Sequence, residues 1–212
     1  MRHLKLFILS LYIVSIQCRA SLRNYVFIRN SSKLVRESNY FIYNSNRNSI
    51  VCRLQSLNSL TTNLLLYPSN VRVGFIDNPY SPLRKFNKCF FNEYRLYFVS
   101  VVSSYDMNIY NLQSNEWIRG SIYQNRYEYT INYGDNSYYM RNRVSPLITE
   151  IYQGNSLISR FSMNSLSLLN ENPKYNIEIY SDILPDPVHI FALYIFDSLK
   201  SKKRFPYYFP FG

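Results

Sequence analysis

The strongest constraint on the fold is a short run near the C-terminal end. After Asp186-Pro187 comes VHIFALYIFDSL, residues 188–199, which is apolar nearly all the way round a helical wheel. Aspartate at the N-cap and proline at the first helical position mark the start of a helix. A helix with no polar stripe must be enclosed, either by protein or by lipid. At about 1.5 Å per residue these twelve residues cover about 18 Å, well short of the roughly 30 Å of a hydrocarbon core. His189 and Asp197 would add a further cost in lipid. The reading is therefore a helix sheathed by β-strands.

The rest of the chain can supply that sheath. Short runs with strand character recur between polar turns: 25–29, 40–43, 49–54, 71–76, 94–102, 106–112, 126–133, 147–152, 157–163 and 175–180. In RYEYTINY, Arg126, Glu128 and Thr130 fall on one face and Tyr127, Tyr129 and Ile131 on the other. With 22 Tyr, 14 Phe and only 5 Gly, the composition suits a pleated surface better than a helix. Many short strands at regular spacing point to a barrel or a sandwich. FIYNSNRNSIVCRL (41–54), GFIDNPYSPLRKF (74–86) and TEIYQGNSLISRF (149–161) share one pattern, and each is read as a hairpin.

This ordered set resembles the tubby C-terminal-like superfamily, and within it the LURP-one-related family. The resemblance rests on GFIDNPYSPLRKF, on NSLISRFSMNSL and on YNIEIYSDILPDPVHIFALYIFDSL, and it covers about residues 25–200. It implies a mainly β fold, a closed antiparallel barrel of about 12 strands around a buried C-terminal helix. It also implies a non-enzymatic domain that binds anionic phospholipid, a phosphoinositide, or a membrane surface. The phospholipid scramblases are similar in the same terminal element. Glu178, Asp182 and Asp186 do not have the ligand spacing of a calcium loop, and are read as strand and cap residues.

Three segments are expected. MRHLKLFILSLYIVSIQCRA, residues 1–20, has the layout of a secretory signal peptide cleaved after Ala20. Residues 21–200 form the barrel domain and 201–212 a basic and aromatic tail. On this reading the protein enters the secretory pathway, and its mature chain carries no transmembrane span; otherwise it is cytoplasmic or membrane-peripheral. Asn30-Ser31-Ser32 is a glycosylation sequon, and Cys52 and Cys89 are spaced so that they could pair in an oxidising compartment.

The formal charge is +11, and +8 without residues 1–20, which suits an anionic partner. Candidate lipid-binding cations are Arg84, Lys85 and Lys88; Arg141 and Arg143 beside Tyr138 and Tyr139; and Lys200, Lys202, Lys203 and Arg204 before FPYYFPFG. Cations beside aromatic rings suit a membrane interface. The alternative partner is another protein, with the barrel as a secreted interaction module. Nucleic-acid binding uses similar residues but ranks third, since no nucleic-acid module is present. Neither a Ser-His-Asp set, a Gly-rich phosphate loop nor a Cys/His metal pattern is present, so no cofactor or enzymatic activity is expected. His189 is read as a helix-end histidine.

Overall fold

A computed structural model describes residues 20–31, 38–46, 49–56, 61–77, 83–91, 94–125, 128–142, 148–163 and 173–203. Residues 1–19, most of the expected signal peptide, lie outside them, as do Arg143 and residues 204–212. Side chains between 78 and 103 are likewise outside the description.

The strands are β1 (Arg23–Ser31), β2 (Ser38–Asn44), β3 (Ser49–Ser56), β4 (Thr61–Leu66), β5 (Arg72–Asp77), β6 (Leu83–Phe91), β7 (Tyr94–Asn111), β8 (Glu116–Asn125), β9 (Glu128–Tyr133), β10 (Asn136–Asn142), β11 (Ile148–Gln153), β12 (Ser156–Met163) and β13 (Lys174–Ile179). One helix, α1 (Asp186–Lys203), follows. Successive strands pair antiparallel through most of the chain. Two further pairings, β1 with β13 and β5 with β7, close a barrel of twelve strands and leave β6 outside it. The expected closed antiparallel barrel with a buried C-terminal helix is the fold.

The helix is buried from Val188 to Asp197, and the barrel strands turn alternate described residues toward it. Phe27 on β1, Ile42 on β2, Leu54 on β3, Met107 on β7, Ile122 on β8 and Ile177 on β13 are all fully buried. An all-round apolar helix thus finds an all-round apolar wall, and the enclosing medium is protein. Among the described residues no helix is long and apolar enough to cross a membrane.

Two ion pairs join helix and wall among the described residues, and both involve β1. Near the start of α1, Arg23 meets Asp186; near its buried end, Arg29 meets Asp197. Strand and helix therefore run in the same direction along the barrel. Asp197 lies within the helix and inside the barrel. It accepts hydrogen bonds from Tyr175 Oη at 2.7 Å and Tyr40 Oη at 3.3 Å. Tyr194 Oη shares a 2.9 Å hydrogen bond with Thr62 Oγ1.

Four expectations change. GFIDNPYSPLRKF is not a hairpin. Its two halves, β5 and β6, both run along β7, β5 against Asp106–Ile109 and β6 against Tyr94–Val102. Each half takes β7 as its partner, and residues 78–82 between them lie outside the described residues. The runs 94–102 and 106–112 are a single 18-residue strand. The helix runs four residues past Leu199, so Lys200, Lys202 and Lys203 belong to it and not to a tail. Finally, Cys52 is a free, buried thiol and not half of a bridge with Cys89. Cys52 is on a barrel strand and buried in the interior, whereas Cys89 is on β6, outside the closed ring.

Candidate ligand-binding site

The tight turns at Ser45–Asn46, Tyr67–Val71, Leu112–Asn115, Gly134–Asp135 and Gly154–Asn155 lie at one end of the barrel, where β13 also ends and α1 begins. Gly134 and Gly154 have φ of 57° and 55°, the left-handed conformation that glycine adopts without strain. This end forms a mouth. Inside it lies a cavity of about 920 Å³, within the roughly 300–1,000 Å³ of small-molecule sites.

The wall of the cavity is apolar. It is made by Ile42 of β2, Val51 and Cys52 of β3, Leu64 and Leu66 of β4, and Val73, Ile109 and Ile118 of β5, β7 and β8. Ile190 of α1 faces them. The cavity exists because the space between helix and wall is filled unevenly. Deeper in, the Phe191 ring packs against Gly74, so closely that an added Cβ would sit 2.9 Å from its Cε2. Nearer the mouth, the helix offers Pro187 and Ile190, and the facing strands carry side chains as small as valine and cysteine.

A polar clasp stands at the edge. Arg23 Nη1 lies 2.5 Å from Asp182 in the turn before the helix, and Nη2 lies 2.9 Å from Asp186 at its first position. Tyr25 Oη donates to Asp186 Oδ2 at 2.6 Å. Burial, and then Asp186, push the Tyr25 hydroxyl well above its ordinary pKa, so it remains a donor. Asp186 is placed by the local sequence, since an acid in the first turn complements the helix dipole. Val188 N–H bonds Pro185 O at 3.0 Å and His189 Nε2 lies 3.1 Å from Leu184 O, which locks the turn against the helix. Burial lowers the His189 pKa to about 4, so the ring is neutral at physiological pH. The same burial, helped by Asp186, pushes the Cys52 thiol up to about 12.

The cations singled out from sequence are elsewhere. Arg84, Lys85 and Lys88 lie on β6, against the part of β7 that precedes the barrel. Lys200, Lys202 and Lys203 lie in the last turn of α1, at the end opposite the mouth; their side chains, Arg143 and Arg204 are outside the description. Arg141 is exposed on β10, with its guanidinium 4.7 Å from the Tyr152 ring centre. It belongs to an alternating row across the outer face: Glu128 and Glu150 flank Arg141, Arg160 follows Glu150, and Glu178 follows Arg160. Arg160 Nε donates to Glu150 at 2.9 Å, as does Tyr152 Oη at 2.7 Å. Arg141 thus lies opposite an acidic position on each neighbouring strand. Asn30 is exposed on β1. Asp182 and Asp186 are engaged by Arg23, and Glu178 accepts from Tyr180 Oη at 2.8 Å. Among the described residues no group of three or more His, Cys, Asp or Glu is placed to hold a metal.

Sequence reasoning did not find the cavity. Its wall residues carry the same alternating apolar signal as the packed core, and only the small size of Val51, Cys52 and Val73 sets them apart. Comparison with protein-family models, with curated proteins and with solved structures gave no match.

Proposed function

We propose that this chain is a non-enzymatic lipid-binding barrel that holds the apolar part of an amphipathic lipid at its mouth. The observation that carries this reading is the cavity of about 920 Å³, apolar on its wall and polar only at its edge. Burying hydrocarbon there releases about 25 cal/mol per Å² of apolar surface removed from water, and the chain need not open to admit it. The reading keeps the lipid-binding role implied by the tubby-like resemblance and differs on what is recognised. The clasp already holds two carboxylates against one guanidinium, so a strongly anionic phosphoinositide headgroup would meet excess negative charge there. A neutral or zwitterionic headgroup fits the clasp better.

The test is displacement of a fluorescent fatty-acyl probe, with all amphiphiles kept below their micellar concentrations. Saturable binding is expected, weakened at least tenfold when Val51→Phe and Leu66→Phe fill the cavity together. Unfilled, non-saturable titrations would sink the lipid reading and leave the alternative, a barrel that binds another protein.

A further inference from the structure

Among the described residues eight large apolar side chains are exposed, and six of them belong to the mouth: Leu22, Tyr67, Val71, Leu112, Trp117 and Ile183. They come from separate elements. Leu22 precedes β1, Tyr67 and Val71 are in the β4–β5 turn, Leu112 begins the β7–β8 turn, Trp117 is the second residue of β8, and Ile183 is in the turn before α1. The sequence gives no hint of this grouping, because closure of the barrel is what brings the six to one end.

The six flank the cavity. Leu112 lines it, and Ile183 adjoins Asp182, which also lines it. Across the ring the turns of the same end are polar, with Gly134 and Asp135, and Gly154 and Asn155; on the cavity side only Ser45 and Asn46, between β2 and β3, interrupt the apolar tips among the described residues. Apolar tips are therefore confined to the side where the cavity opens. Trp117 is braced for an interfacial position, since its ring lies 5.6 Å from Phe75 and 5.4 Å from Tyr110, and the Arg72 guanidinium sits 5.5 Å from it. An aromatic ring with a cation at its edge is the arrangement that anchors proteins at the headgroup level.

Charge decides which surface fits. Glu116 and Asp135 are exposed at this end, Arg23 is offset in the clasp by Asp182 and Asp186, and Arg72 is stacked on aromatic rings. Among the described residues this end is not basic, although the chain carries +11. We propose that the mouth docks on a membrane surface of neutral or zwitterionic lipid, its apolar tips entering the headgroup layer so that the cavity opens directly onto the acyl chains. This rests on the lipid-binding reading and adds where the lipid comes from.

Trp117 is the only tryptophan in the chain, so its fluorescence reports this surface alone. The experiment uses vesicles of phosphatidylcholine, with and without acyl-chain bromination, and the full chain. Flotation with the vesicles and quenching of Trp117 by brominated chains are expected. Both should persist at roughly 1 M salt, where the Debye length is about 3 Å. Val71→Asp with Ile183→Asp, both at exposed positions outside the cavity lining, should lower the vesicle-bound fraction at least fivefold while leaving saturable binding of the monomeric acyl probe intact. Absence of quenching by neutral vesicles overturns the proposal. So does binding that requires phosphatidylserine and vanishes at high salt, which would point to the cations at the other end. Loss of vesicle binding alone leaves the cavity reading standing; loss of probe binding with vesicle docking retained removes the cavity reading instead.

Discussion

Tyr175 Oη donates a 2.7 Å hydrogen bond to Oδ1 of Asp197, joining the first turn of the last strand to the far end of the buried helix. Asp197 also has Tyr40 and Arg29 against its other oxygen, at 3.3 and 3.5 Å. An ionised side chain almost wholly out of water is tolerable only with such partners. Burial, and then the Asp197 charge, hold the Tyr40 hydroxyl well above its ordinary pKa, so it stays protonated and donates. Asp197→Ala should therefore cost about 3–5 kcal/mol, since it leaves two hydroxyls and a guanidinium facing an apolar interior. Asp197→Asn, which retains one acceptor, should cost less. Urea unfolding of the two variants checks the order; equal midpoints would mean the network contributes nothing through its charge.

Two barrel glycines should differ in how badly they tolerate alanine. At Gly74 an added Cβ meets the Phe191 ring edge at 2.9 Å, and the ring can shift toward the cavity. At Gly120 it meets the backbone oxygen of Asn132 at 2.7 Å, and the ladder fixes that oxygen between neighbouring strands. Overpacking typically costs about 1–3 kcal/mol. Gly74→Ala should fall at the low end of that range and Gly120→Ala at or above the high end, as read from thermal unfolding. The reverse order would place the rigid contact at Phe191 instead.

The helix was legible from sequence because an all-round apolar segment of its length leaves so few options. The Asp186-Pro187 start was legible because capping chemistry is local. The hairpins 41–54 and 149–161 were legible for the same reason, as each pairs β2 with β3 or β11 with β12 across a short turn. GFIDNPYSPLRKF misled because local pattern cannot show that β7 is long enough to serve both halves. The cavity and the apolar mouth were invisible, since each is made by residues from strands far apart in sequence. Arg23 shows the limit well. On sequence alone it is one cation among 24, and only closure of β1 on β13 brings it to Asp182 and Asp186.

His189 gives the fold a defined response to acid. Its ring is fully buried, and burial lowers its pKa from 6.5 to about 4, with Asp186 and the Leu184 carbonyl opposing part of that effect. Between those two values the unfolded chain binds the proton and the folded one does not. Stability should therefore fall as pH drops from 6.5 toward 4, by about 1.4 kcal/mol per pH unit and about 3 kcal/mol in all. Above pH 6.5 the ring is neutral in both states and contributes no slope. His189→Gln can still donate to the Leu184 carbonyl but cannot titrate, so the difference between variant and parent isolates this term. Parallel stability curves for the two across pH 4–7 would show that the buried ring does not carry the dependence.

Cys52 joins the fold to the proposed ligand, because its buried thiol also lines the cavity. Burial, and then the charge of Asp186, raise its pKa from 9.0 to about 12. At a fixed pH below both values, the thiolate population falls roughly a thousandfold relative to an unperturbed thiol, and the thiolate is the reactive form. In a Cys18→Ser, Cys89→Ser background at pH 8, Cys52 should react with a disulfide reagent at least a hundredfold more slowly in the folded protein than in guanidinium. An acyl amphiphile in the cavity should slow it further, because the ligand covers the sulfur. A ligand that leaves the rate unchanged while still displacing the fluorescent probe would have to bind somewhere other than beside Cys52, and the barrel mouth would lose its claim as the lipid site.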